Sequence, residues 1–68
     1  MEIDVLMDVL DDLRRKDYEY AMTELSDHEG GIFDQLKSLI SARMYRDAIR
    51  IIHEKVDAYI IERETMWD

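Results

Sequence analysis

The chain has 68 residues, no cysteine and a formal net charge of −8. This length allows a single domain, residues 1–68, whose core is small enough to need a further means of stabilisation. Disulfides and thiolate metal sites are excluded without cysteine, so oligomerisation is the means that remains. The acidity disfavours nucleic acid and anionic membranes as binding partners, and no apolar run is long enough to span a bilayer. We therefore expect a cytoplasmic protein.

The excess negative charge lies in the first half of the chain. Residues 1–34 hold eleven acidic and three basic residues, whereas residues 35–68 hold six of each. Such an asymmetry attracts a basic protein surface, mainly by raising the rate of encounter. Solubility alone is the simpler interpretation.

Residues 2–13 are predicted to form the first helix, because apolar residues recur there at spacings of three and four. The other face carries a row of aspartates spaced by four residues, where like charges repel by a few tenths of a kcal/mol per pair. Such a row is either a solvated face or a partner-binding surface. We call this predicted surface the acidic edge, and it consists of Asp4, Asp8, Asp11 and Asp12.

The apolar stripe shifts after the first helix, which predicts a break over residues 14–17. Asp17 is a suitable N-cap for a second helix over residues 18–25.

Two starts are open for the third helix. Ser26 and Glu29 have the spacing of a capping box, which would start the helix at Asp27. Alternatively, a turn at Gly30-Gly31 precedes a helix over residues 32–42. We favour the second, because two adjacent glycines cost a helix about 2 kcal/mol.

Residues 42–67 are predicted to form one long amphipathic helix, without an internal glycine or proline. Its main apolar stripe faces the core. A thinner apolar stripe on its flank either widens the core-facing arc or contacts a second chain. Together with a terminal tryptophan, a residue type favoured at interfaces, this flank is the predicted dimer interface: Met44, Ile51, Ala58, Ile61 and Trp67.

Two segments share a pattern at an offset of 27 residues. Apolar and tyrosine positions coincide when Leu13, Tyr18, Ala21, Met22 and Leu25 are laid over Ile40, Tyr45, Ala48, Ile49 and Ile52. This order of helix end, turn and helix start resembles that of tetratricopeptide-type hairpins, although a solenoid of that kind needs at least three repeats. The pattern predicts two antiparallel helical hairpins and carries no functional residue.

Catalytic and metal-binding motifs are weak. His53 and Asp57 share a helix face in a near match to the zinc-protease motif, with His28 as a third ligand. An ordinary surface pair is the favoured interpretation, because so small a bundle leaves no room to enclose such a site. Gly30-Gly31 lacks the Lys-Ser/Thr sequel of a phosphate loop. We expect no enzyme activity, no metal and no other cofactor.

The sequence thus predicts an all-α bundle of three or four helices, built from helical hairpins, with a long C-terminal helix and a dimeric state. We expect a small acidic protein-interaction module of the phage or mobile-element accessory type. It would bind a partner protein with a basic surface, and inhibit or sequester it by mimicking nucleic acid there.

Two alternatives stay open. The chain could be a small dimeric ligand-binding or sponge protein whose seam holds an anion, with Arg43, Arg46 and Arg50 as its ligand-binding residues. Salt bridges from these arginines to Asp47 and Glu54 are the simpler explanation. The chain could also be a structural oligomer or an assembly chaperone.

Overall fold

The computed structural model describes the backbone of residues 2–65 and the side chains of residues 2–62. This part of the chain contains four helices and no strand. The helices are α1 (Glu2–Arg14), α2 (Tyr18–Ser26), α3 (Gly31–Ser41) and α4 (Tyr45–Thr65). Because turns of three or four residues join them, consecutive helices pack antiparallel. The predicted all-α bundle of hairpins is confirmed, and over the described residues no helix has the length and apolarity needed to cross a membrane.

The helices form a closed ring, in which α1 and α3 each pack against both α2 and α4. Among the described side chains, eleven apolar residues form the buried core. Ten of them are five pairs related by the 27-residue offset: Leu6 and Phe33, Val9 and Leu36, Leu13 and Ile40, Ala21 and Ala48, Leu25 and Ile52. The eleventh is Leu10, whose equivalent, Lys37, donates a hydrogen bond to the carbonyl of His28. The sequence repeat is therefore also a repeat of the core.

The turns that close the two hairpins are equivalent as well. In the first, the N–H of Lys16 bonds to the carbonyl of Leu13 and the N–H of Asp17 to that of Asp12, at 3.1 and 2.8 Å. In the second, Arg43 and Met44 make the corresponding bonds to Ile40 and Leu39, at 3.0 and 2.8 Å. Both are Schellman motifs, which satisfy the last carbonyls of a helix.

The first of these turns also starts α2 as predicted. The side chain of Asp17 accepts a hydrogen bond from the N–H of Tyr20 at 3.4 Å, so Asp17 is the N-cap. The second turn shortens the last predicted helix. It occupies residues 42–44, and Met44 consequently lies in the connection before α4, not on the flank of the helix.

The connection between α2 and α3 does not contain the capping box that would have started the third helix at Asp27. Ser26 is the last residue of α2, and its hydroxyl donates to the carbonyl of Thr23 at 2.6 Å. Gly30 is the N-cap of α3 instead, with φ 85° and ψ 162°, a conformation essentially restricted to glycine. The favoured Gly-Gly turn is confirmed, with the helix starting one residue earlier than predicted.

Lys16 and Arg43 occupy equivalent left-handed positions, with φ 64° and 61°. A non-glycine residue is disfavoured there by about 1–2 kcal/mol. Glycine avoids this cost, but it loses more conformational entropy on folding, which offsets part of the gain. We expect Lys16→Gly and Arg43→Gly each to raise the free energy of unfolding by about 0.5–1 kcal/mol, measured by urea denaturation. Glu19→Gly, at an exposed position of α2, should lower the free energy of unfolding by about 1 kcal/mol. Destabilisation by both turn variants would contradict this account of the turns.

The two hairpins meet at Tyr18 and Tyr45, the first residues of α2 and α4. Their rings stack with centroids 3.7 Å apart and planes 2° from parallel. These residues are equivalent in the repeat. If a two-fold axis relates the hairpins, equivalent residues that lie at the axis contact each other, as these two do. Both Schellman turns directly precede this stack, so they lie at the same end of the bundle.

Candidate interaction site

The acidic edge keeps three of its four predicted residues on the surface. Asp4, Asp8 and Asp11 are exposed along α1. Asp11 forms an ion pair with exposed Arg15 one turn later, with 2.9 Å between Oδ2 and the guanidinium nitrogen. A pair this exposed adds little stability, so the Asp11 carboxylate stays available to a competing cation.

Asp12 does not belong to that surface, and its predicted place on the solvent face is wrong. Its side chain is only 8% exposed, because α2 packs against the side of α1 that carries it. There its carboxyl lies within hydrogen-bonding reach of the carboxyl of Glu24 on α2, which is half-buried. Oδ2 of Asp12 and Oε2 of Glu24 are both buried and have no hydrogen-bond partner within the described part of the chain.

Electrostatics at Asp12 favour its neutral form. Burial is the largest influence and raises the pKa of its carboxyl, against the hydrogen bond with Glu24, which lowers it. The negative charges of Asp17, Asp11 and Asp8 raise this pKa further. All the charges among these influences are negative, so they oppose ionisation of this carboxyl.

The pKa of the Glu24 carboxyl is also raised. Burial is again the main cause, followed by the negative charges of Asp12 and Asp8 and by the hydrogen bond with Asp12. A hydrogen bond with Tyr20 lowers it. A hydrogen bond between two carboxyls needs a proton on one of them, so it forms only when the pair is at least singly protonated. The two carboxyls titrate as a coupled pair, which we call the acid pair.

The repeat shows how unusual this pair is. At the offset of 27 residues, Asp12 and Glu24 correspond to Leu39 and Ile51, which are half-buried and packed against the core of the second hairpin. The same place in the fold therefore holds two carboxyls in one hairpin and two aliphatic side chains in the other. This comparison was the one signal in the sequence that could have revealed the burial of the acid pair.

Residues proposed for other chemistry are not assembled into a site. Over the described residues, no three His, Asp or Glu side chains are grouped so that they could hold a metal ion. Nε2 of His53 bonds to the guanidinium of Arg14 at 2.8 Å, and His28 stacks on Phe33 with ring centroids 4.9 Å apart. No protein-family model, curated protein or solved structure matches the chain.

The three arginines of the alternative ligand site are all exposed. Arg43 lies in the turn before α4, whereas Arg46 and Arg50 lie on exposed positions of the helix. Arg50 approaches Oδ1 of Asp47 at 3.6 Å, which is the salt bridge that the simpler explanation predicted. None of these arginines lines any of four pockets in the described part of the chain.

The predicted dimer interface divides between the core and the surface. Ile51 packs against the core, while Met44 is 46% exposed and Ile61 is 62% exposed. Ala58 is exposed as well. Trp67 lies outside the described residues. Of the exposed members, Ala58 lines a groove beside the second half of α4.

That groove, of about 320 Å³, lies between the start of α1 and the second half of α4. Its apolar lining consists of Ile3, Leu6, Ala58 and Tyr59. The charged side chains at its edges are Glu2, Lys55 and Glu62. Sequence patterning indicated the apolar flank of α4 but not the groove, because the groove depends on where α1 begins beside α4.

Proposed function

We propose that this protein is a small acidic interaction module, without catalytic activity, that acts as a homodimer and binds a partner protein with a basic surface. Binding inhibits or sequesters that partner. The observation that supports this best is the exposed row of Asp4, Asp8 and Asp11 on α1, in the half of the chain that carries the net negative charge. Desolvation costs little for exposed carboxylates, so they can act in encounter and orientation.

The charge spacing of this row bears on mimicry of nucleic acid. At 1.5 Å of rise per residue, the three carboxylates span about 11 Å, or one charge every 5 Å or so. One strand of B-DNA carries a phosphate every ~3.4 Å along the axis. The row thus reaches about two-thirds of the linear charge density of a strand, which suits a basic patch that otherwise holds phosphates.

Charge reversal tests the acidic edge. The variant Asp4→Lys, Asp8→Lys, Asp11→Lys should lose a partner that the unaltered chain captures from its native host, with affinity for the purified partner reduced about 100-fold or more. The matched control, Glu29→Lys, Asp34→Lys, Asp57→Lys, makes the same change of net charge at other exposed positions. It should reduce affinity only a few-fold.

The measurements are mass spectrometry of the captured protein, followed by titration calorimetry at two ionic strengths. Binding should weaken with salt, and duplex DNA should compete if the partner surface normally holds nucleic acid. If both triple variants lost the same affinity, the effect would be one of net charge alone, and a specific role of the acidic edge would be refuted.

The homodimer is supported by the small core and by the apolar side chains that α4 leaves exposed. Light scattering of the purified chain at micromolar concentration should give twice the mass of one chain. A single-chain mass up to millimolar concentration would remove this part of the proposal.

A further inference from the structure

The second half of α4 has no counterpart in the first hairpin. By the 27-residue offset, the end of α2 at Ser26 corresponds to His53, whereas α4 continues to Thr65. We call residues 54–65 the α4 extension; at 1.5 Å per residue it is about 18 Å long. The buried core residues of α4 end at Ile52, and Val56 is the last described residue that packs against this core.

The α4 extension carries both an apolar hollow and apolar projections. The hollow is the groove, whose lining includes Ala58 and Tyr59 of the extension and Ile3 and Leu6 of α1. The projections are Ile60 and Ile61, which are 47% and 62% exposed. At 100° per residue these two side chains lie on other sides of the helix, so the patch that a two-fold interface would place against its copy is the groove face with Ala58 and Tyr59.

The charged side chains along this patch favour an antiparallel pairing of two α4 extensions. Lys55 and Glu62 are exposed at the edges of the groove and lie seven residues apart on one face of the helix. In an antiparallel pair of extensions with Ala58 opposite Tyr59 of the partner subunit, Lys55 falls opposite Glu62 of the partner subunit. The two-fold axis then repeats both contacts. A parallel pair would instead place Lys55 beside Lys55 of the partner subunit, where like charges repel.

We propose that the groove is filled by the α4 extension of a second copy of this chain, in an antiparallel pairing held in register by two Lys55–Glu62 ion pairs between the chains. The inference rests on the homodimer proposed above and adds its surface and register. At the centre of the pairing, a small side chain opposes a large one, Ala58 against Tyr59, which lets the helices approach closely. Exposed ion pairs at its edges fix orientation more than they add affinity.

A charge exchange between the two positions tests this register. Lys55→Glu should weaken the dimer about tenfold or more, measured as its dissociation constant by sedimentation equilibrium, because each chain then sets a glutamate against Glu62. Glu62→Lys should do the same. The double variant Lys55→Glu, Glu62→Lys should recover a dissociation constant within a few-fold of the unaltered chain, because both intermolecular pairs are restored in reverse.

The controls are Arg46→Glu and Glu19→Lys, which make the same single charge changes at exposed positions outside the groove and should leave the dissociation constant within a few-fold. Circular dichroism confirms that each variant is folded. A dimer that tolerates both single variants, or that the double variant fails to restore, overturns the register while the homodimer stands. A chain that is monomeric before any substitution overturns both, and leaves the groove to a helix of another protein.

Discussion

Replacing the acid pair with its aliphatic equivalents, Asp12→Leu with Glu24→Ile, is expected to stabilise the protein by about 1–4 kcal/mol at pH 7. Buried charged groups are often less stabilising than well-packed apolar side chains of similar volume. Leu39 and Ile51 already occupy the equivalent place in the second hairpin, so the fold accommodates this pair of side chains. Urea denaturation followed by circular dichroism measures the change, with no loss of helix content expected.

The same substitution should remove a dependence of stability on pH. Both carboxyls have raised pKa values in the folded protein, so folding favours their protonated forms. The stability that their protonation adds to the folded protein is fully present at pH values below the ordinary pKa values of Asp and Glu, about 3.9 and 4.3. It is lost as the pH rises through the raised values. The unaltered protein should therefore gain stability on mild acidification from pH 7, and the aliphatic variant should gain much less.

Two exposed acids provide the control for net charge. Asp57→Asn with Glu54→Gln removes the same two negative charges without changing a buried site. This control should alter stability by no more than ~0.5 kcal/mol and leave most of the pH dependence in place. If the aliphatic variant instead proved less stable than the unaltered protein at pH 7, the acid pair would have to be counted as stabilising.

Truncation of Leu25 should have the largest destabilising effect of the variants considered. Leu25→Ala removes a side chain that is fully buried between the two hairpins, at an expected cost of about 2–5 kcal/mol. For a domain of this size that is a large fraction of the total stability. The equivalent variant, Ile52→Ala, should cost a similar amount, because the repeat gives both residues the same surroundings.

Met7→Ala is the control for the core variants. Met7 is 54% exposed on α1, and its truncation should cost less than ~1 kcal/mol. Thermal unfolding checks the series, since about 2 kcal/mol lowers the midpoint of so small a domain by roughly 8–16 °C. If Leu25→Ala lowered stability no more than Met7→Ala does, the placement of Leu25 in the core would be contradicted.

The helices and their hairpin arrangement could be predicted because local signals determine them. Spacings of three and four residues mark α1, and the shift of the stripe places the turn at Asp17 within one residue. The adjacent glycines start α3 for a reason that is also local, since Gly30 adopts a conformation that other residues avoid. In each case the decisive interactions lie within a few residues of one another.

Placements that depend on a neighbouring helix could not be predicted in the same way. A helical wheel puts Asp12 in line with Asp4 and Asp8, yet α2 covers only the C-terminal part of that row. Likewise, the end of α3 at the Arg43 turn removed Met44 from the flank of α4. The groove lined by Ile3 and Tyr59 arises because α1 begins beside the second half of α4, and that contact joins residues far apart in sequence.

The ring of helices also has a consequence for how the molecule folds. Three of its four packing contacts join helices that are consecutive along the chain, and only α1 with α4 is distant in sequence. Chains dominated by local contacts fold fast, within microseconds to milliseconds for small helical bundles. We expect the docking of α1 on α4 to come last, because it closes the longest loop. The groove is built by that final step, so it exists only once the fold is complete.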